Sequence, residues 1–196
     1  MYFARSILFA LFFSLTVGMH AQAVPGGGSG YGLEEGGIPL AEVGLNYNYV
    51  HANAPPGQCG CFSLNGGSAT FVYNWRPQWA AMADLTVAHS NNVNNTGQDV
   101  TLIHYLFGAR YSWRNRSRYV VYGQALFGGA KEDVNFQFDI NRNAFGLMGG
   151  GGVTTRLRDR MGWTIGEVSW VYTQIPNQVN NRQNDLRVST GLIYRF

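Results

Sequence analysis

Lysine is almost missing from this 196-residue chain, in which only Lys131 among 14 basic residues is lysine. Charge of either sign is scarce, at 13% of residues, and the formal net charge is only +3. That rules out the basic surface a nucleic-acid partner requires. Beyond the first residues no stretch approaches 18 consecutive apolar residues, so no transmembrane helix is expected. The slightly negative mean hydropathy agrees. No phosphate loop, zinc motif or serine-hydrolase elbow is present. Cysteine is limited to Cys59 and Cys61. What the chain has in quantity is glycine, 26 residues, and aromatics, 14%. Strands that curve tightly and set aromatic rings at an interface have this composition.

The N-terminus reads as a secretory leader spanning 1–23. Arg5 supplies a positive charge, Ile7 to Val17 an apolar core, and Ala21-Gln22-Ala23 a small-residue cleavage site. The core is too short to cross a bilayer as a helix. The glycine-rich stretch 24–38 is expected to be a flexible periplasmic lead-in. Residues 39–196 then alternate with a period of two, over and over.

Eight strands follow from that alternation. They are Leu40–Val50, Ser68–Trp75, Trp79–His89, Val100–Trp113, Arg118 to about Ala130, Asn143–Arg156, Met161–Tyr172 and Leu186–Phe196. Short turns at Arg76–Gln78, Arg114–Ser117 and Arg158–Arg160 alternate with long polar connections at Asn53–Gly67, Ser90–Asp99, Lys131–Arg142 and Thr173–Asp185. In the third connection, Val134 to Ile140 could instead extend the flanking strands. One strand face is aromatic and aliphatic, and a charge there at mid-bilayer would cost about 2–4 kcal/mol. The other face carries Glu42, Asp84, Arg110, Glu167 and Arg187. The expected fold is all-β: an eight-stranded antiparallel transmembrane up-and-down β-barrel, with the polar face as its lumen and both termini periplasmic.

The last strand ends on an aromatic residue, and its pattern Ser189-x-Gly191-x-x-Tyr194-x-Phe196 resembles the C-terminal assembly signal of Gram-negative outer-membrane barrels. With Leu106 to Ser112 and the glycine run 149–152, the chain over about 39–196 resembles the small eight-stranded outer-membrane barrels, the OmpA transmembrane-domain and OmpX group. The resemblance implies the outer membrane, its lipids and its barrel-assembly machinery as surroundings and partners. The peptidoglycan-binding domain of full-length OmpA has no counterpart after Phe196.

Four sets of residues are candidates for function. Glu42, Asp84 and Glu167 are expected to pair with Arg110, Arg187 or Arg195 in a charged lumen plug, read either as a static core or as a gate whose pairs switch. Cys59 and Cys61 leave a strained local disulfide, an intermolecular bond and two free thiols open. With His51 they make an incomplete metal site, so no metal or cofactor is expected. His51 and His89-Ser90 fall at the loop ends of strands, and His104 points into the lumen. None sits in an evident catalytic pattern, and no enzyme is expected. The Asn- and Gln-rich loops suit an unnamed extracellular ligand. The expected role is structural or porin-like, with at most narrow ion or small-solute passage. Surface adhesion through the loops is the alternative, and a lipid A-modifying enzyme the third.

Overall fold

The computed structural model describes residues 37–52, 61–91, 93, 97, 99–114, 117–136, 138–175 and 182–196. The leader, most of the lead-in and Cys59 lie outside the described residues. Eight strands form one closed antiparallel barrel in chain order: β1 (Ala41–Ala52), β2 (Phe62–Asn74), β3 (Trp79–Ser90), β4 (Asp99–Arg114), β5 (Tyr119–Phe136), β6 (Phe138–Arg158), β7 (Met161–Thr173) and β8 (Gln183–Arg195). The β1–β8 ladder closes it.

The register sets the barrel's shape. Following paired residues once around from Ala41 leads through Tyr73, Ala81, Ala109, Ala125, Gly149, Trp170 and Leu186 to His51, ten residues farther along β1. A stagger of that size on eight strands tilts them by roughly 40° and leaves an interior that side chains can fill.

Alternation assigns the faces. In β3 the pattern is unbroken, with Trp79, Ala81, Ala83, Leu85 and Val87 exposed and Ala80, Met82, Asp84, Thr86 and Ala88 buried. Outward Trp75, Trp79, Trp113, Tyr119, Trp163, Tyr194 and Phe196 gather at the end that carries the chain termini. Tyr49, Tyr105, Phe145 and Trp170 form a second belt toward the other end. Aliphatic Leu45, Leu85, Val168 and Val188 occupy the band between them. This is the exterior of a membrane-spanning barrel.

Two expectations about connections are corrected. Phe62 to Gly67 belongs to β2 and pairs with Ala52 to Tyr47, so the first connection is shorter than Asn53–Gly67. Asn65-Gly66-Gly67 reads as a loop, yet Gly66 lies against the Val87 carbonyl of β3, where no Cβ fits. For Lys131–Arg142 the long-loop reading gives way to its alternative, since Val134–Phe136 and Phe138–Ile140 extend the flanking strands. The β5–β6 ladder runs on to Phe136↔Phe138, whereas β6 stays paired with β7 only as far as Gly146↔Thr173. β8 likewise starts at Gln183, three residues before Leu186.

One bulge matters for the exterior. In β7 the outward residues are Met161, Trp163 and Ile165, then Val168 and Trp170, so the phase changes by one residue at a register shift. The Thr190 hydroxyl donates to the Thr164 carbonyl at 2.9 Å and accepts from Trp163 Nε1 at 3.2 Å. Polar groups that the bulge releases on the lipid side are thereby paired, as hydrocarbon surroundings demand.

Candidate functional site: the layered lumen

The charged centre of the lumen is built around Arg187 on β8, whose side chain is 1% exposed. Its Nη1 donates to Asp84 Oδ1 and Oδ2 at 3.0 and 3.1 Å and to Thr86 Oγ1 at 2.7 Å; Nη2 donates to Glu167 Oε1 at 2.8 Å. One guanidinium thus bridges carboxylates from β3 and β7 across the barrel. Glu167 also accepts from Tyr122 Oη at 2.7 Å and Ser169 Oγ at 3.0 Å, and Thr86 Oγ1 donates to Asp84 at 2.6 Å. Buried charges persist only when paired and hydrogen-bonded in this way.

Arg110 stands on the terminus side of this network. It donates to Gln124 Oε1 at 2.8 Å, contacts Met82 Sδ, stacks 4.0 Å above the Tyr122 ring and lies 4.0 Å from Glu167. Tyr122 fits because Gly152 faces it: a Cβ there would come within 2.7 Å of the phenol oxygen. The glycine run 149–152 therefore makes room for a ring that holds Glu167. Parity with the inward Gln124 was the sequence signal for Tyr122, two residues away on the same strand.

Glu42 is not part of this centre. It lies lower, 3.9 Å from Arg114, a residue sequence reasoning placed in a turn. Arg195, expected to pair with a carboxylate, is buried at 8% exposure with no carboxylate in ion-pair range among the described residues. Its Nε is buried without a hydrogen-bond partner. Two voids of about 10 Å³ each, roughly the space one water needs, are lined by Arg110 and Glu42, and Arg195 lines one of them.

Above the network the lumen carries an apolar cluster, which the charge pattern did not reveal, with Glu132 and Asp185 buried at the same end. Val50, Ala52, Phe62, Leu64, Ala88, Val93, Val100, Leu102, Ala130 and Ile175 form one buried cluster at the end away from the termini. His104, 1% exposed, occupies the level where the two layers meet, and neither ring nitrogen has a hydrogen-bond partner.

The remaining candidates fall elsewhere. Ser189 is buried, and Gly191 faces the lumen against the Leu45 carbonyl of β1; Tyr194 and Phe196 are exposed, their rings 4.9 Å apart. Cys61 is exposed just before β2. His51 and His89 are exposed on the outer face, where His89 contacts Thr101 Oγ1 at 2.9 Å and Asn91 Oδ1 at 2.6 Å, rather than Ser90. No group of metal-binding side chains occurs among the described residues.

A closed eight-strand barrel with an aromatic-belted exterior and a filled polar lumen has the fold of the small outer-membrane β-barrels. The chain is similar to Neisserial surface protein A, with a TM-score of 0.63 at 17% identity over 80% of this chain and 97% of that one. It is similar to Ail, the attachment invasion locus protein of Yersinia pestis, with a TM-score of 0.54 at 14% identity over 80% and 99%. The outer membrane protein OprG of Pseudomonas aeruginosa gives 0.50 at 14% identity over 82% and 98%. The sequence matches no protein-family model and no curated protein.

Proposed function

We propose that this chain is a closed structural barrel of a Gram-negative outer membrane, without enzymatic activity, whose termini and short turns face the periplasm. The single observation that carries the reading is a lumen blocked at two levels, by the Arg187 network and by the apolar cluster above it. An ion crossing it would have to displace paired charges and then pass the packed side chains of the apolar cluster. The short turns at the terminus end, against longer β1–β2, β3–β4 and β7–β8 connections and an extended β5–β6 hairpin opposite, support the orientation. Tyr194 and Phe196 on the exposed face of β8 support recognition by the barrel-assembly machinery.

A second reading, surface recognition, is supported by the β5–β6 hairpin, which continues past the end of the β6–β7 ladder. A similar structure, Ail, carries attachment in its name and was solved with the heparin analogue sucrose octasulfate, at 14% identity.

The test is single-channel recording from the refolded mature barrel, with folding first verified by the heat-dependent change in gel mobility. A folded barrel without discrete openings is expected. Regular conductance steps would overturn the closed reading. Binding of cells or of polyanions without conductance would favour the hairpin and loops, and an altered lipid A mass on expression would reject the non-enzymatic part.

A further inference from the structure

Around the lower voids and the network above them, four guanidinium groups (Arg110, Arg114, Arg187 and Arg195) face three carboxylates (Glu42, Asp84 and Glu167). Arg187 takes Asp84 and Glu167, Arg110 leans on Glu167, and Arg114 lies 3.9 Å from Glu42. The excess positive charge is Arg195. It lines one void together with Arg110, Arg114, Ser112, Asn74, Thr154 and the carboxylate of Glu42, and its Nε is buried without a hydrogen-bond partner. Burying an unpaired ion costs several kcal/mol, so such a group calls for a counter-charge. Arg114, with its side chain 22% exposed, connects the void to the terminus end.

We propose that this vestibule is an anion site. It takes one anionic atom from free solute, either a halide ion or a single oxygen of phosphate or a carboxylate, held by Arg195 and Arg114. The void of about 10 Å³ admits one such atom and not a whole polyatomic ion, so an oxyanion would enter with one oxygen and leave the rest at the mouth. Hydroxyls of Ser112 and Thr154 among the lining residues are suitable further donors.

The experiment uses the full mature barrel in detergent micelles. Its unfolding midpoint is followed against chloride and against inorganic phosphate, with Arg195→Met in the same salts as the control for ionic strength. A ligand that binds only the folded state raises the midpoint with the logarithm of its concentration. The wild type is expected to show that rise, Arg195→Met to lose it, and Arg195→Lys to retain part of it. If Arg195→Met does not refold, Arg114→Gln replaces it, with a right-shifted, weaker response expected. Chloride-nucleus line broadening in the wild type, absent in the variant, is the direct readout. Wild-type curves that coincide with those of Arg195→Met would overturn the proposal, because the anion response would then not depend on Arg195.

Discussion

Arg187 is the residue on which the charged centre depends. Truncating it leaves Asp84 and Glu167 buried side by side without compensation, and breaking a buried pair in this way costs about 3–5 kcal/mol. Arg187→Met should lower stability by that amount in urea titrations of the barrel in lipid vesicles. Adding Asp84→Asn and Glu167→Gln should recover part of the loss, because the network is then removed as a neutral set. A single-residue contrast tests the glycine run. Gly149 has open space around its missing Cβ, whereas Gly152 is crowded by the Gly166 carbonyl and the Tyr122 phenol. Gly149→Ala should stay within about 0.5 kcal/mol of wild type. Gly152→Ala should cost about 1–3 kcal/mol and weaken the Tyr122–Glu167 hydrogen bond, a change that a hydroxyl-sensitive infrared band of Tyr122 would report.

At the scale of strands, alternation was legible wherever a hydrophobic residue fell at every second position. β3 and the lower part of β8 are such cases, and every outward residue read in β3 is exposed. Legibility ended where glycine or asparagine interrupted the outward face, as at Asn65-Gly66-Gly67, or where two strands continued past the membrane in polar residues, as at Lys131–Arg142. The lumen divides in the same way. Its ionisable residues stand out because charge in a strand has one place to go. The apolar cluster of Val50, Leu64 and Leu102 does not, because side chains of that kind are equally at home on lipid. Pairing partners were legible in part: Asp84 and Glu167 take Arg187, with Arg110 beside Glu167, whereas Glu42 meets Arg114, a residue that reads as part of a turn. The bulge in β7 gives an element-scale prediction. Thr190→Val removes the donor to the Thr164 carbonyl and the acceptor of Trp163 Nε1. It should cost about 1–2 kcal/mol in a bilayer, while Thr190→Ser should restore most of it; equal midpoints for the two variants would show that the bulge finds other partners.

For the whole molecule the two blocks act in series, so opening one should not suffice. Arg187→Met with Asp84→Asn and Glu167→Gln should remain silent in planar bilayers, because the packed cluster of Val50, Leu64 and Leu102 still closes the path. Adding Leu64→Ser and Val50→Thr to that background should produce discrete openings. Openings from the charge-network variant alone would place the whole barrier at Arg187.

The ladder between β1 and β8 gives the chain a test of its own completeness. β1 waits with one row of backbone donors and acceptors unmatched until the final strand arrives, and Phe196 N bonding to the Ala41 carbonyl at 2.9 Å completes the row. A ribosome that stopped after β7 would release a sheet with two raw edges, which oil does not tolerate and which invite other chains. Chains that stop before β8 are therefore barred from the bilayer by geometry, before any protease inspects them, and admission to the membrane is granted only to a sheet that has met its own first strand.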